Sequence, residues 1–237
     1  MIPLHFGVGD APLYGVYHPA SEPRKKRGAL LLNPWGWEAL RAHRTLKTLA
    51  DRLASAGYDT LRFDYSCSGD SAGSHAGASL SAWLDDAELA LREIMSLSAV
   101  RRVSVYGLRL GGLLAGLLSE RCPREVDRVV LWEAPISGQE FLHEMESAPT
   151  AEVSAFPITQ DFRREIEPVD LAHHLRNFRG HIVTITPREV ALNETRARSL
   201  ERIMPSYGTS PPWVEDRTYG AGVVPVKLID RLIATVQ

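Results

Sequence analysis

The segment Val103–Ala115 reads Val-Ser-Val-Tyr-Gly-Leu-Arg-Leu-Gly-Gly-Leu-Leu-Ala, and this stretch decides the fold. Its first part is typical of a short buried strand, and its second part is typical of a helix. Gly107 and Gly111 lie two residues before and two residues after Arg109. This spacing predicts a turn from strand to helix that is too tight for side chains on either side of Arg109. The turn would hold Arg109 at the beginning of the helix.

Further strands and helices alternate on both sides of this segment. Residues 2–8 and 11–18 flank a Gly-Asp pair and predict a hairpin. Apolar runs at 28–34, 58–65, 103–106 and 128–132 predict buried strands. Apolar residues at helical spacing predict helices at 38–56, 79–96 and 110–121. The alternation predicts an α/β fold, with a mostly parallel central sheet covered by helices on both faces.

The regular alternation is interrupted in the second half of the chain. Residues 135–178 contain four prolines and only short helix-like pieces, near 138–147 and 161–175. The segment is too long for a tight connection, so we expect a single domain over 1–237 with 135–178 inserted as a small cap or lid. Beyond it the sequence predicts a strand at 181–186, a helix near 193–204, a strand at about 213–219 and a last helix over 225–236.

Composition and charge exclude several classes of protein. The chain is 44% hydrophobic and 24% charged, which is ordinary for a globular domain. It has 27 Lys and Arg against 29 Asp and Glu, a net charge of −2, so charge gives it no reason to bind nucleic acid or an anionic membrane. Cys67 and Cys122 cannot form a disulfide framework. Without a signal peptide or an apolar span in the sequence, we expect a cytoplasmic location.

Four motifs, in this order, resemble the α/β-hydrolase superfamily. Residues 33–37, Asn-Pro-Trp-Gly-Trp, are similar to the oxyanion-hole loop that follows the third strand of that fold. Residues 63–71 resemble the loop after the fourth strand, and residues 107–111 stand at the nucleophile elbow, G-x-S-x-G, after the fifth. Residues 129–135 follow as the sixth strand. The elbow Gly-Leu-Arg-Leu-Gly, with Leu-Trp-x-x-Pro-Ile-Ser-Gly downstream, more narrowly resembles the exosortase A system-associated hydrolase 2-like group, which implies a bacterial biosynthetic cluster and not a reaction.

The resemblance also implies where a catalytic triad would lie, and the chain departs from it. Arg109 stands in the place of the nucleophilic serine. The family's acid would follow the seventh strand, where Glu189 is the only candidate, and Val223 stands where the histidine would be. A triad needs a nucleophile within reach of a base, so two of its three members are missing. We therefore expect no classical serine hydrolysis.

Arg109 is the main candidate for a binding residue. An arginine is a permanent cation with a planar fork of donors, and a helix N-terminus also favours anions. We expect it to bind a small anionic or acyl-type ligand, helped by the N–H of Leu110 and a backbone N–H of the Trp35 loop. Glu38 and Glu133 would orient the guanidinium. The alternative is that an Arg–carboxylate pair closes the site without any ligand.

Three functional hypotheses stay open. The first is a pseudo-hydrolase that binds such a ligand at the elbow. The second is an active hydrolase, thioesterase or lyase in which Arg109 works with Glu38 or Glu133 as acid or base. The third is a scaffolding protein, with a protein partner or a second copy of the chain.

Other reactive residues carry weaker hypotheses. Cys67 lies in a Ser/Gly loop and could replace the nucleophile, but no histidine is near it in sequence, and a free cysteine is more often a small buried apolar residue. His43 lies early in the first long helix, where it would pack, face solvent or line the mouth of the pocket. Adjacent residues of a helix point about 100° apart, so His173 and His174 do not share a metal-binding face. We expect no metal and no cofactor.

Overall fold

The computed structural model describes residues 1–7, 9, 11–74, 77–147, 158–192, 194–207, 211, 213 and 223–236. Its strands are β1 Ile2–Phe6, β2 Leu13–His18, β3 Gly28–Leu32, β4 Asp59–Phe63, β5 Val103–Leu108, β6 Val126–Trp132, β7 His181–Ile185 and β8 Ser199–Ile203. Its helices are α1 Gly36–Ser55, α2 Leu80–Ser98, α3 Leu110–Arg121, α4 Gly138–Glu146, α5 Gln160–Ile166, α6 Leu171–Leu175 and α7 Val226–Val236.

The eight strands form one mixed sheet in the order β1-β2-β4-β3-β5-β6-β7-β8. β1 pairs with β2 and β2 with β4 in antiparallel fashion, which confirms the hairpin. All the other neighbours are parallel, from β4 through β8. The predicted α/β fold with a mostly parallel sheet is therefore confirmed. The parallel strands bring the loops after β3, β4, β5 and β6 to one edge of the sheet.

Two apolar cores lie on opposite faces of this sheet. On one face α1 and α7 pack their apolar stripes on alternate residues of the central strands, with Leu49 and Leu232 fully buried. On the other face α2 and α3 pack around Leu113 and Leu91. β3 and β5 are buried along their whole length, because both of their faces are covered by helices. In the part of the chain that the structure describes, no helix is long and apolar enough to cross a bilayer.

Among the described residues between β6 and β7, three short helices are present. Ser137 caps α4 and also bridges to Asp170, the N-cap of α6. α5 packs on α2, and α6 packs on α3. The expected continuous helical piece over 161–175 is interrupted at 167–170, which includes Pro168. This arrangement places the end of α4 above the beginning of α3.

The predicted helix near 193–204 is wrong, because residues 199–203 form the edge strand β8. Four of its five residues are exposed, and only Ile203 is buried. Such a strand carries no run of apolar residues that would indicate a sheet, and its pairing with β7 decides its structure. The strand expected at about 213–219 lies almost wholly outside the described residues.

Candidate functional site

Arg109 lies between the end of β5 and the beginning of α3, in a conformation that few residues adopt. Its backbone angles are φ 54° and ψ −119°. A Cβ on Gly107 would lie 2.2 Å from the carbonyl oxygen of Gly111, and a Cβ on Gly111 would lie 2.2 Å from that of Leu32. Both glycines are therefore required, since the helix begins in contact with the strands. A positive φ at a non-glycine residue costs about 1–3 kcal/mol, which the surrounding structure must offset.

The guanidinium of Arg109 is held on three of its sides. Nε donates to Oε1 of Glu38 at 2.7 Å, and Nη1 donates to the backbone carbonyl of Glu133 at 2.8 Å. Nη2 donates to the carboxylate of Glu144, which the end of α4 brings over the elbow. Arg109 is only 7% exposed, so this cation is removed from water and fixed by the protein.

The sequence predicted two of these three contacts, one of them through a different atom. Glu38 pairs with Arg109 through its side chain, whereas Glu133 contributes its carbonyl oxygen. The carboxylate of Glu133 turns away, because its residue adopts a left-handed φ of 47°, and it accepts a hydrogen bond from Tyr207 at 2.8 Å. Sequence reasoning missed Glu144. Only the contact of α4 with the elbow shows it, and no motif indicates that contact.

Buried carboxyl groups and a buried cation share this site. Burial raises the pKa of Glu38 and of Glu133, more than the neighbouring Arg109 lowers them. Burial by itself would lower the pKa of Arg109, but the charges of Glu38 and Glu144 outweigh it and raise that pKa, so the arginine stays charged. Oε2 of Glu38 is buried and has no hydrogen-bond partner among the described residues. One cation therefore serves two directly bound carboxylates and lies near a third.

The other two predicted site residues lie in the loop before α1 and at the beginning of α3. Trp35 is 7% exposed, and its ring packs against Trp83 at 4.7 Å and Phe162 at 5.0 Å. Its backbone forms the N-cap of α1, on whose first turn Glu38 lies. Leu110 is the first residue of α3, so its N–H has no acceptor within the helix. The N–H of Leu110 is thus a backbone donor directly after Arg109 in the chain.

The residues at the other two triad positions, and the other reactive residues that the sequence singled out, do not join this cluster. Glu189 is exposed and makes no ion pair with any residue that the structure describes. Val223 is 59% exposed. Cys67 is partly buried in the loop after β4, and its Sγ would lie 2.5 Å from a Cβ added at Gly73. His174 pairs with Glu120 at 2.6 Å, far along the chain from the elbow. Among the described residues no group of three metal-ligating side chains comes together.

Replacing Glu133 with glutamine is expected to change how stability depends on pH. The buried carboxyl has a raised pKa, so it stabilises the fold below its unfolded pKa of about 4.3 and loses that contribution as pH rises through the folded value. The amide has no such loss and still accepts the bond from Tyr207. In urea unfolding, the free energy of unfolding of the variant should therefore rise relative to that of the wild type between pH 4.5 and pH 7. A gain no larger than that of Glu189→Gln, an exposed reference, would contradict this.

Comparison with known proteins by sequence gives one family. The family described as "Serine aminopeptidase, S33" matches residues 41–187, which include β4, the elbow and the segment between β6 and β7. No curated protein matches the chain by sequence.

Solved structures resemble the whole chain. Est1E from Butyrivibrio proteoclasticus, with ferulic acid bound, has a TM-score of 0.67 at 11% identity, and the alignment covers 98% of this chain and 99% of Est1E. An esterase of Pyrococcus furiosus has a TM-score of 0.64 at 14% identity, covering 99% and 89%. The mouse α/β hydrolase domain-containing protein 10 has a TM-score of 0.59 at 16% identity, covering 100% and 97%. At these identities the likeness shows the fold alone.

Proposed function

The chain belongs to the serine aminopeptidase S33 family of α/β-hydrolases, and from that premise we propose that it is a member without a serine triad that binds a small anionic or acyl-type ligand at the elbow. Arg109 takes the place of the nucleophile and is the anchor of this ligand. Arg109 does have the internal carboxylate partners that the sequence left open as the alternative, so the proposal rests on the partner that can be exchanged: the side chain of Glu144 is 28% exposed and lies 3.8 Å from Arg188. The narrower kinship with the exosortase-associated hydrolase 2-like group is part of the same proposal.

Glu144 is the carboxylate that the ligand replaces. Its side chain is 28% exposed, whereas that of Glu38 is 11% exposed. Since two carboxylates already surround one cation, a third anion does not add to the cluster but exchanges with one of them. Nη2 of Arg188 lies 3.8 Å from Oε1 of Glu144 and provides an alternative partner for the displaced side chain. The Glu144 carboxylate therefore occupies the ligand's place on Arg109 until the ligand displaces it.

The remaining residues have separate roles in this proposal. Glu38 and the Glu133 carbonyl keep the guanidinium in place while the ligand exchanges with Glu144. The N–H of Leu110 and a backbone N–H of the Trp35 loop donate to the ligand's oxygen, as expected where a helix N-terminus meets a charge. Residues 135–178, which supply Glu144, form the cap over this site.

Glu144→Gln is expected to increase the affinity for butyrate about tenfold, because the amide keeps a weak hydrogen bond to Arg109 but no longer competes with a charge. Isothermal titration with butyrate, and with butyramide as the neutral reference, measures this. Glu146→Gln is the matched control, since Glu146 lies on the same helix but pairs with Arg163 and not with Arg188. The gain should disappear when Arg109→Lys is combined with Glu144→Gln. Equal affinity in the wild type and Glu144→Gln would refute the exchange.

A second candidate function rests on Glu38. Oε2 of this carboxyl is buried without a partner, and burial raises its pKa, which are properties of a general acid or base. An enzyme of this kind would turn over esters or thioesters with Arg109 stabilising an oxyanion. Glu38→Gln and Glu133→Gln would then both be measured with activated esters. Full activity in both variants would exclude this candidate.

A further inference from the structure

A cleft of about 810 Å³ opens between α1 and the outer strands β2 and β4, beside the Trp35 loop. This volume is within the range of small-molecule sites. Arg109 is not among the residues that line it, and the Trp35 loop lies between the cleft and the elbow. Val16, Leu40 and Trp83 give the cleft apolar lining, and Arg62 gives it a charged group.

Arg62 is fixed in this cleft by a buried histidine. Val16 and Arg62 are opposite each other on β2 and β4. Nε of Arg62 donates to Nε2 of His18 at 3.3 Å, and Nδ1 of His18 lies 2.9 Å from Oδ1 of Asp51. His18 is 2% exposed, and burial together with the charge of Arg62 lowers its pKa, which agrees with a neutral ring protonated on Nδ1. The chain Asp51–His18–Arg62 therefore positions the guanidinium through Nε and leaves both Nη groups unused.

The Nη groups of Arg62 have no hydrogen-bond acceptor and no carboxylate partner among the described residues. Burial lowers the pKa of Arg62, but an arginine remains charged. The charges of Asp64 and Asp51 favour the charged guanidinium, but the desolvation of Arg62 outweighs them, and neither carboxylate is hydrogen-bonded to it. The fixed position of Arg62 and the absence of a hydrogen-bonded carboxylate among the described residues favour a ligand that supplies one.

The other unused polar groups of the cleft are also mostly donors. The hydroxyl of Tyr14, the ring of His43 and the guanidinium of Arg44 have no hydrogen-bond partner among the described residues. Asp64 is already engaged: Oδ1 accepts from Asn33 at 3.4 Å and Oδ2 from the N–H of Asp70 at 3.1 Å. The Asp70 carboxylate is exposed. His43 and Arg44 are exposed, so Arg62 and Tyr14 are the partly buried donors of the cleft that a ligand's acceptor would satisfy.

We propose that this cleft binds a small carboxylic acid with an apolar body, whose carboxylate is held by the two Nη groups of Arg62. The planar fork of an arginine matches a carboxylate in a bidentate arrangement. A monoanion fits better than a dianion such as a phosphate ester, because Asp64 and Asp70 also line the cleft. The apolar body lies against Val16, Leu40 and Trp83. This site does not depend on the proposal for the elbow.

Isothermal titration of the full chain with 4-phenylbutyrate tests the site. Binding is expected for the wild type and about tenfold weaker binding for Arg62→Gln, with Arg62→Lys between them, because a lysine keeps the charge but not the fork. Arg52→Gln, an exposed change on α1, should bind like the wild type. The loss in Arg62→Gln should be the same when both proteins also carry Arg109→Lys, and this separates the cleft from the elbow.

Several results would each overturn the proposal. The first is equal binding by 4-phenylbutanamide, the neutral analogue, and the second is unchanged affinity in Arg62→Gln. Phenyl phosphate that binds more tightly than the acid would refute the choice of a monoanion. If Arg62→Gln does not fold, a crystal of the wild type soaked with 4-(4-bromophenyl)butyrate locates the bromine by anomalous scattering. Bromine in the cleft supports the site, and bromine elsewhere or absent contradicts it.

Discussion

Arg109→Gln is expected to lower the free energy of unfolding by about 3–5 kcal/mol, because it removes one partner of a buried ion pair and leaves Glu38 uncompensated. Arg109 is 7% and Glu38 8% exposed, so water cannot replace the lost contact. The loss should shrink as pH falls, since a proton neutralises Glu38, whose pKa burial already raises. Urea unfolding at pH 7 and pH 5 measures both effects.

A double-mutant cycle separates the ion pair from the packing of the arginine side chain. Glu38→Gln together with Arg109→Gln removes both charges and leaves two amides of suitable length. The double variant should be more stable than the sum of the single losses predicts, since neither charge is then left unpaired. A loss below about 1 kcal/mol for Arg109→Gln, of the size seen for exposed pairs, would contradict the buried network.

Trp83→Ala is expected to lower the free energy of unfolding by about 3–5 kcal/mol, as for large aromatic residues in a core. The Trp83 ring stacks on Tyr65 at 4.9 Å and lies 4.7 Å from the ring of Trp35. Its Nε1 donates to the carbonyl of Ser66 at 2.9 Å, which ties α2 to the loop after β4. The substitution therefore removes packing under both loops that border the cleft.

Trp83→Phe is the matched control for this prediction. A phenylalanine keeps most of the ring contacts and loses the hydrogen bond to Ser66, so a smaller loss is expected than for alanine. The midpoint of urea unfolding measures both variants. A loss of less than about 1 kcal/mol for Trp83→Ala would show that the aromatic cluster does not support these loops.

The sequence was sufficient for the parts of the molecule that local patterns determine. The glycines at 107 and 111 predicted the tight turn, and apolar runs predicted the central strands, because burial on both faces leaves a clear pattern. β8 was missed since an exposed edge strand carries no such pattern and depends on its pairing with β7. Whether residues 135–178 act as a cap stays a prediction.

The site was only partly predictable for a related reason. Glu38 was found because it follows a loop that a family motif locates beside the elbow. Glu144 was not, because it lies 35 residues from Arg109 in a segment without a motif, and only the packing of α4 brings the two together. The carboxylate of Glu133 was misplaced since its left-handed backbone turns the side chain toward Tyr207. Backbone conformation at single residues of this kind is not encoded in a local pattern.

Turnover of 4-nitrophenyl butyrate by the purified wild type and by Arg109→Lys tests the central claim most directly. The claim is that Arg109 binds a ligand where a hydrolase would have its nucleophile. It predicts that neither protein releases 4-nitrophenol faster than the buffer alone. Release by the wild type that is lost in Arg109→Lys would contradict it, because the arginine would then act on the reacting atoms.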